Sequence, residues 1–155
     1  MNDEHTPSED TTAMLLFADF LGIAIVSADR DAVVAALAWT PERCTPAEVM
    51  HGGALMSVAD TAGGILAYAN LPDRATGTST ISSSTQFTRG LRDGQATATA
   101  RLLHRGRSTI VVETDIRDGD ERLLAYPDSK YALWLSVPPL KATPARRADR
   151  HPHRP

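Results

Sequence analysis

Apolar residues follow two different patterns along the chain. Residues 52–70 are apolar around nearly the whole circumference of a helix, which predicts a long helix in the middle of a core. Later runs alternate apolar and polar side chains as strands do: residues 78–88, 95–104, 108–117 and those from 122 onward. Short turns at Arg105-Gly106 and Asp118-Gly119-Asp120 indicate antiparallel hairpins. The pattern therefore predicts an α+β fold in which an antiparallel sheet wraps around one helix.

Smaller elements precede the long helix. Residues 12–22 form an apolar run that opens on threonines and ends at Gly22, which predicts a short buried helix. Residues 23–28 and 32–40 are β-branched-rich runs on either side of Asp29-Arg30-Asp31, and they predict a hairpin. Two prolines interrupt residues 41–51, so this stretch is expected to be a loop.

The two ends of the chain differ from its middle. Residues 1–11 are polar without periodicity, and we expect a disordered arm. Residues 138–155 are rich in Pro and Arg, and we expect a disordered basic tail. Pro127 interrupts the run that begins at residue 122, and residues 131–137 are the candidate for the last strand. The folded domain is therefore expected to span residues 12–137.

Composition limits the class of protein. The 155 residues are 42% apolar and carry a net charge of −3, as expected for one globular domain. Cys44 is the only cysteine, which excludes an intrachain disulfide and a four-thiolate zinc site. We expect neither a metal nor a cofactor. Because no apolar run approaches the roughly 18 residues of a membrane span and the N-terminus is acidic, we expect a cytoplasmic protein that does not bind membranes.

Charge is distributed unevenly along the chain. Residues 1–140 hold 11 Lys and Arg against 18 Asp and Glu, whereas residues 141–155 hold 5 against 1. The net charge thus combines an acidic body of −7 with a tail of +4. A short basic tail is more often a solvated extension than a nucleic-acid-binding arm, so no nucleic acid partner is expected.

Candidate chemistry lies on the long helix. Asp60 is its only charged residue, and a carboxylate on an apolar helix needs a hydrogen bond, an ion pair or a cleft. It is either a structural Asp or a reactive group in a pocket with apolar walls. His51-Gly52-Gly53 opens the same helix, where glycines let a ligand approach the backbone and free N–H groups favour an anion or a developing oxyanion. The alternative there is a tight turn with a surface His.

The spacing of these two features predicts a dimer. Gly52 and Asp60 are eight residues apart, which separates them by about 12 Å along a helix. That distance is too large for both to act on one carbonyl group. If both serve one substrate, Gly52 of one subunit must meet Asp60 of another, as two antiparallel helices packed across a twofold axis would allow.

Three segments together resemble a known family. They are His51-Gly52-Gly53 with Asp60 nine residues after the His, then Phe87-Thr88-Arg89, then Gly106-Arg107-Ser108-Thr109. In this order they resemble hot-dog-fold acyl-CoA thioesterases of the phenylacetyl-CoA and 4-hydroxybenzoyl-CoA type, over about residues 12–125. The resemblance implies a long helix gripped by a curved antiparallel sheet, assembly into dimers or dimers of dimers, and hydrolysis of an acyl-CoA thioester.

The resemblance also implies roles for individual residues. In that family the acid at the position of Asp60 is the nucleophile or the general base, Gly52 donates its N–H to the thioester oxygen, and His51 shapes the loop. A hydroxyl on the next strand holds the attacking water in some relatives, and Thr80 or Ser79 is the nearest match. The residues that would hold CoA are Arg89, Arg107, Ser108, Thr109 and Gly53. Guanidinium groups and hydroxyls suit the anionic CoA, although the arginines would also suit a solvated strand edge.

One departure from the family pattern keeps a second function open. The family ends in a regular strand, whereas Tyr126-Pro127-Asp128-Ser129-Lys130 stands in its place here. An altered last strand is compatible with a non-catalytic hot-dog module that binds acyl-CoA. Acyl-CoA hydrolysis and acyl-CoA binding are therefore both candidate functions.

Overall fold

The computed structural model describes residues 15–73, 75, 77–127 and 132–137. The described residues contain two α-helices, which are α1 (Leu16–Leu21) and α2 (Gly52–Ala69). Its strands are β1 (Ile23–Ala28), β2 (Ala32–Ala38), β3 (Gly77–Ser82), β4 (Gln86–Phe87), β5 (Gln95–Arg105), β6 (Thr109–Arg117), β7 (Leu123–Tyr126) and β8 (Ala132–Val137). The predicted arm at residues 1–11 and the predicted tail at residues 138–155 lie outside the described residues.

All strand pairs of the sheet are antiparallel. The strands follow the order β1-β2-β5-β6-β7-β4, and β8 pairs with both β6 and β3. One long helix packs on this sheet, which confirms the predicted α+β architecture. Neither described helix is long and apolar enough to cross a membrane.

Helix α2 packs on the sheet through one side only. That side carries the fully or nearly fully buried residues Leu55, Val58, Ala62, Gly63, Leu66 and Ala67. Small side chains on β2 and β5 face it, including Ala35, Ala98 and Ala100, so the helix axis lies close to the sheet. The opposite side is open, and Met56 is 39% and Tyr68 60% exposed. The expectation of a helix surrounded by core is therefore wrong within one chain, because the sheet covers only one of its sides.

Helix α1 ends as predicted but is not buried. Gly22 closes it in the left-handed conformation at φ 69°, and its N–H bonds to the carbonyl oxygens of Ala18 and Asp19. Ala18 is buried, whereas Leu16 is 79% and Phe20 82% exposed. A helix of six residues that packs on β1 and α2 from one side cannot bury an apolar circumference. Residues 12–14 of the predicted helix lie outside the described residues.

The first hairpin has the turn that its sequence predicts. Asp29 Oδ1 accepts hydrogen bonds from the N–H groups of Asp31 at 2.7 Å and Ala32 at 2.8 Å, so the side chain closes the turn between β1 and β2. The Ala32 and Asp31 N–H groups hold the pKa of Asp29 below its ordinary value.

The β6–β7 turn uses the same device around a buried carboxylate. Asp118 accepts from the N–H groups of Asp120 and Arg122 at 3.0 and 2.9 Å, and from the Arg122 guanidinium at 2.8 Å. Burial raises the pKa of Asp118, but these backbone hydrogen bonds and the Arg122 charge outweigh it, so the pKa lies below its ordinary value. Both Asp-containing turns that the sequence predicts are therefore present.

One of the predicted strands is broken. Residues 78–88 read as one alternating run, but β3 ends at Ser82 and β4 begins at Gln86. β7 ends at Tyr126, just before the predicted interruption at Pro127, and β8 lies within the range predicted for the last strand. β7 and β8 lie along the same edge of β6, where β8 pairs with Thr109–Val112 and β7 with Ile116–Arg117. Both strands therefore lie on this edge of β6, and residues 128–131 between them lie outside the described residues.

Candidate active site

His51 shapes the N-terminus of α2. Its Nδ1 accepts a hydrogen bond from Gly53 N–H at 2.9 Å, and its carbonyl oxygen accepts from Ala54 N–H at 2.9 Å. The Gly53 N–H is thereby engaged as a helix cap. The expectation that both glycines offer free N–H groups is wrong for Gly53, because the His51 side chain takes that donor.

Gly52 keeps its donor and lies under an aromatic ring. The hydrogen bonds found among the described residues include none from Gly52 N–H. A Cβ on Gly52 would stand 3.2 Å from Cζ of Phe87, which is closer than a side chain there would ordinarily tolerate. Glycine therefore fits at this position because the Phe87 ring packs directly on the backbone. The sequence contained Phe87 within a motif but did not indicate this contact.

Asp60 lies on the open side of α2, and a hydroxyl orients it. Thr80 Oγ1 on β3 donates to Asp60 Oδ1 at 3.0 Å. Thr80 and Thr78 face the helix, whereas Ser79 is exposed on the other face, because side chains alternate along a strand. Of the two hydroxyls that the sequence offered, Thr80 is the one that reaches Asp60, and Ser79 is not.

A pocket opens beside Asp60. Ala59 and Asp60 border it from α2, and Val112 and Thr114 border it from β6. The remaining wall consists of Ser83, Ser84, Thr85 and Pro127. The expectation of apolar walls holds for most of the exposed lining, although four of these eight residues carry hydroxyl groups.

Sequence reasoning missed the pocket residues, although it contained a signal for Thr114. Ile110, Val112 and Ile116 on β6 are buried against the helix, and Thr114 interrupts this apolar row with a hydroxyl. The three consecutive hydroxyl residues at 83–85 gave no comparable signal, because a broken strand cannot be told from a continuous one by alternation alone.

Arg89 lies near the N-terminal end of α2. It follows β4, whose Phe87 packs on Gly52. The loop that carries Arg89 is tied to the segment before His51, since Met50 N–H donates to the Leu91 carbonyl oxygen at 2.8 Å. The Arg89 side chain is exposed.

Of the other predicted CoA-binding residues, Gly53 lies in the first turn of α2, whereas Arg107, Ser108 and Thr109 lie at the C-terminal end of that helix. The Arg105 guanidinium donates to the carbonyl oxygen of Asn70 at 2.9 Å and to that of Leu71 at 3.3 Å, which fixes the β5–β6 turn against the end of the helix. Arg107 and Ser108 in this turn are exposed, and Thr109 begins β6 half-buried.

Within one chain the predicted site residues therefore form three separate groups. Gly52 and Arg89 are at one end of α2, Asp60 and Thr80 at its middle, and the β5–β6 turn at its other end. Helix α2 has 18 residues and is thus about 27 Å long. The structure brings Thr80 to Asp60 and leaves Gly52 and the CoA-binding candidates apart from them. Among the residues that the structure describes, no cluster of His, Cys, Asp and Glu could hold a metal ion.

The sequence matches a known family and curated relatives. The thioesterase superfamily model matches residues 47–125, which is just over half of the chain. ComA2 of Bacillus subtilis is 32% identical over 105 residues, covering 67% of this chain and 82% of that protein. A Deinococcus radiodurans protein is 37% identical over 99 residues, covering 63% of this chain and 61% of its own length. Both relatives are named as candidate esterases.

Solved structures share the fold at lower sequence identity. Thioesterase HI1161 from Haemophilus influenzae superimposes with a TM-score of 0.78 at 22% identity, covering 90% of this chain and 96% of that one. The E. coli PaaI protein from the phenylacetic acid degradation operon gives a TM-score of 0.74 at 24% identity, covering 88% of this chain and 96% of that one. The chain has the hot-dog fold, and it belongs to the thioesterase superfamily of hydrolases.

Proposed function

We propose that the protein hydrolyses acyl-CoA thioesters, with Asp60 of one subunit and the Gly52 N–H of a second subunit acting on the same carbonyl group. One observation carries the proposal. In a chain of the thioesterase superfamily, the only carboxylate on α2 lies on its open side, is oriented by Thr80 and borders a pocket.

The chemistry follows from the atoms of the site. The Asp60 carboxylate accepts a proton from water while the water oxygen bonds to the thioester carbon. The carbonyl oxygen becomes an oxyanion, which the Gly52 N–H at a helix N-terminus stabilises. The tetrahedral intermediate then breaks its carbon–sulfur bond, and the CoA thiolate takes the proton from Asp60. In the alternative route Asp60 itself bonds to the thioester carbon, the carbon–sulfur bond breaks and the CoA thiolate leaves. Water then cleaves the resulting anhydride, and one proton of that water is taken up by the thiolate.

The CoA moiety would bind at the ends of the helices. Arg89 offers a guanidinium group to a phosphate, and Arg107, Ser108 and Thr109 form a second group of donors at the other end of α2. Two antiparallel helices would bring the Gly52 end of one subunit toward the Asp60 of the other. The route needs neither a metal nor a cofactor besides the substrate.

Two features of the single chain support a dimer. The open side of α2 exposes Met56, Asp60 and Tyr68 in one stripe. Among the described residues β3 pairs only with β8, so its other edge is available to a second sheet. Both features lie next to Asp60, where the second subunit is needed.

The first experiment measures hydrolysis and its dependence on Asp60. The purified full chain is assayed with acyl-CoA thioesters of different length, together with Asp60→Asn and Asp60→Ala. We expect hydrolysis, and a loss of about 10²- to 10⁴-fold in kcat in both variants at unchanged thermal stability. An unreactive wild-type protein, or variants as active as the wild type, would contradict the proposal.

A second experiment separates the two roles of Asp60. Hydrolysis proceeds in water enriched in oxygen-18, and the protein is then analysed by peptide mass spectrometry. Oxygen-18 in the Asp60 carboxylate identifies an anhydride that water opened at Asp60. An unlabelled carboxylate excludes that route and is the result expected for a general base.

A third experiment tests the dimer geometry. In the proposed dimer, Gly52 of each chain lies next to Asp60 of the other chain across a twofold axis. Residue 56 is halfway between these two positions on the helix, so it lies close to residue 56 of the second chain. Met56→Cys, in a Cys44→Ser background, should therefore form a disulfide-linked dimer on oxidation. Tyr68→Cys is the matched control, because its two copies would be about 36 Å apart along the helices and should not link. Linking by Tyr68→Cys alone would contradict this geometry.

The structure does not favour the alternative of a hot-dog module that binds acyl-CoA without hydrolysing it. It was based on an altered last strand, and β8 pairs with β6 and β3 where that strand is required. Calorimetry that detects acyl-CoA binding without turnover would restore it.

A further inference from the structure

The Phe87 ring is anchored beside the first turn of α2. Phe87 pairs with Ala125 on β7, and the next two N–H groups, of Thr88 and Arg89, both bond to the Leu124 carbonyl oxygen, at 2.9 and 3.3 Å. The Thr88 hydroxyl adds a 2.7 Å hydrogen bond to a carbonyl oxygen of the same strand. These partners all belong to the described residues of β7, and they fix the backbone that carries the ring.

The ring contacts the helix with its far end and leaves the rest of its surface open. Its Cζ, Cε1 and Cε2 atoms lie 3.2, 3.5 and 3.6 Å from the position that a Cβ on Gly52 would occupy. Phe87 is nevertheless 49% exposed, which leaves roughly 100 Å² of its surface uncovered. An anchored aromatic ring with an open surface is a place where an apolar part of a ligand can lie.

The open ring surface adjoins the N–H group proposed to bind the thioester oxygen. The nitrogen and the Cβ of one residue are about 2.5 Å apart, so the end of the ring lies within about 6 Å of the Gly52 nitrogen. A carbonyl oxygen that accepts from this N–H lies about 2.9 Å from the nitrogen. The groups attached to the thioester carbon, which are the acyl group and the sulfur with its pantetheine arm, are therefore the parts of the substrate nearest to the ring.

The position of Arg89 favours the pantetheine arm over the acyl group. The Cα atoms of Phe87 and Arg89 are at most about 7 Å apart. Arg89 is exposed, and its guanidinium is the group proposed to hold a CoA phosphate. The pantetheine arm connects the thioester sulfur to the phosphates, so an arm that runs from Gly52 to Arg89 passes Phe87. The acyl group leaves the thioester carbon in another direction.

We propose that the pantetheine arm of the substrate lies on the Phe87 ring, which makes Phe87 a substrate-binding residue. The inference rests on the proposed function, because it requires the thioester oxygen to bind the Gly52 N–H. The methylene groups of the arm would cover the open ring surface, and sulfur makes favourable contacts with the edges of aromatic rings. The contact is the same in the bound substrate and in the transition state, so it lowers KM without raising kcat.

Thioesters with and without the arm test this contact. The acyl group that is hydrolysed fastest as its CoA thioester is attached to CoA, to pantetheine and to ethanethiol, and the wild type is compared with Phe87→Leu and Phe87→Ala. For Phe87→Ala we expect KM to rise about tenfold with CoA and with pantetheine, which corresponds to about 50 Å² of apolar contact. The kcat for these two should stay within about twofold, and kcat/KM for the ethyl thioester should not change.

Two further variants make the test specific. Phe87→Leu keeps an apolar side chain against Gly52 and should raise KM less than Phe87→Ala, and it serves as the test variant if Phe87→Ala unfolds on thermal denaturation. Tyr126→Ala is the matched control, because Tyr126 is 40% exposed on neighbouring β7. Tyr126 pairs with Gln86 and therefore lies on the opposite face of the sheet from Phe87. This control should leave every KM unchanged.

Four results would overturn the inference. An unchanged KM for acyl-CoA in Phe87→Ala would show that no substrate group lies on the ring. A fall in kcat with unchanged KM, or an equal loss with the ethyl thioester, would show that the ring acts only by packing on the first turn of α2. A loss that is larger for octanoyl-CoA than for acetyl-CoA would place the acyl group on the ring. Dissociation of the dimer on size-exclusion chromatography would show that a second subunit covers the ring.

Failure of this inference is distinguishable from failure of the proposed function. If hydrolysis depends on Asp60 and Phe87→Ala has the KM of the wild type, only the pantetheine contact is wrong. If no acyl-CoA is hydrolysed, or Asp60→Asn is fully active, the proposed function itself fails.

Discussion

The two halves of the sheet are built differently. On one side β2 and β5 pair without interruption over seven residue pairs, from Ala32 with Arg101 to Ala38 with Gln95. Their inward side chains are Ala, Val and Leu, and Val33, Leu37 and Ala98 are completely buried. On the other side the line of β3 and β4 is interrupted between Ser82 and Gln86, and hydroxyl residues stand beside apolar ones around Asp60.

This difference separates stability from chemistry. We call β2 and β5 with the β1–β2 turn the regular half, and β3, β4, β7 and β8 with the β6–β7 turn the interrupted half. The regular half provides apolar surface that packs against α2, and it contains none of the residues proposed to contact substrate. The interrupted half contains an exposed carboxylate with its hydroxyl partner. A polar, partly open site is compatible with folding because a second, regular region supplies the core.

The largest predicted effect is a loss of stability when the core of the regular half is changed. Leu37→Ala should lower the free energy of unfolding by about 2 to 5 kcal/mol, because Leu37 is completely buried and the change leaves a cavity. Urea denaturation measures this loss. The kcat of the molecules that remain folded should stay near that of the wild type, and a large fall in kcat would show that the two halves are coupled.

A smaller effect is predicted in the interrupted half. Thr80→Val removes the hydroxyl that donates to Asp60 at 3.0 Å, and kcat should fall about tenfold with little change in melting temperature. Steady-state kinetics and thermal denaturation measure the two quantities.

Thr78→Val is the control on the same face of β3. The Thr78 hydroxyl is buried and has no hydrogen-bond partner within the part of the chain that the structure describes. Its removal should leave kcat unchanged and should not lower stability. Equal loss of activity in both variants would show that Thr80 acts only through packing.

The smallest predicted effect compares the two Asp-containing turns. Asp29 lies in the regular half and Asp118 in the interrupted half, and both have a lowered pKa in the folded protein. A lowered pKa stabilises the fold above the unfolded value of about 3.9, and this contribution disappears as the pH falls through the folded value. Asp29→Asn and Asp118→Asn should therefore each destabilise the protein at pH 7 and much less at low pH.

Salt should distinguish the two turns. Arg122 pairs with Asp118 at 2.8 Å, whereas the partners of Asp29 within the described part of the chain are backbone N–H groups. The Asp118→Asn effect at pH 7 should shrink more in high salt, because mobile ions screen charge pairs. Denaturation midpoints across pH and salt give both comparisons, and a destabilisation that persists unchanged at low pH would contradict them.

The sequence predicted those structural features that depend on neighbouring residues, and it did not predict those that depend on distant ones. The Asp29 turn, the end of α1 at Gly22 and the β8 strand depend on neighbouring residues, and all are present as predicted. The exposure of Leu16 and Phe20 depends on which elements pack nearby, and the sequence alone could not indicate it.

The candidate site shows the same division. Asp60 was identifiable as the one charge on an apolar helix. The hydrogen bond from Gly53 N–H to His51 and the packing of Phe87 on Gly52 became known only from the structure. The spacing of residues in a sequence does not show which N–H group has a partner.

The sequence by itself determined the fold class, the family motifs and the position of Asp60 on the long helix. Apolar periodicity and turn-forming residues are properties of short segments, so they can be recognised in the sequence without knowledge of the fold. Only the tertiary structure decided that Thr80 rather than Ser79 reaches Asp60 and that residues 83–85, Thr114 and Pro127 border one pocket. These are contacts between distant segments, and they depend on strand register and on where paired strands are interrupted, which no single segment encodes.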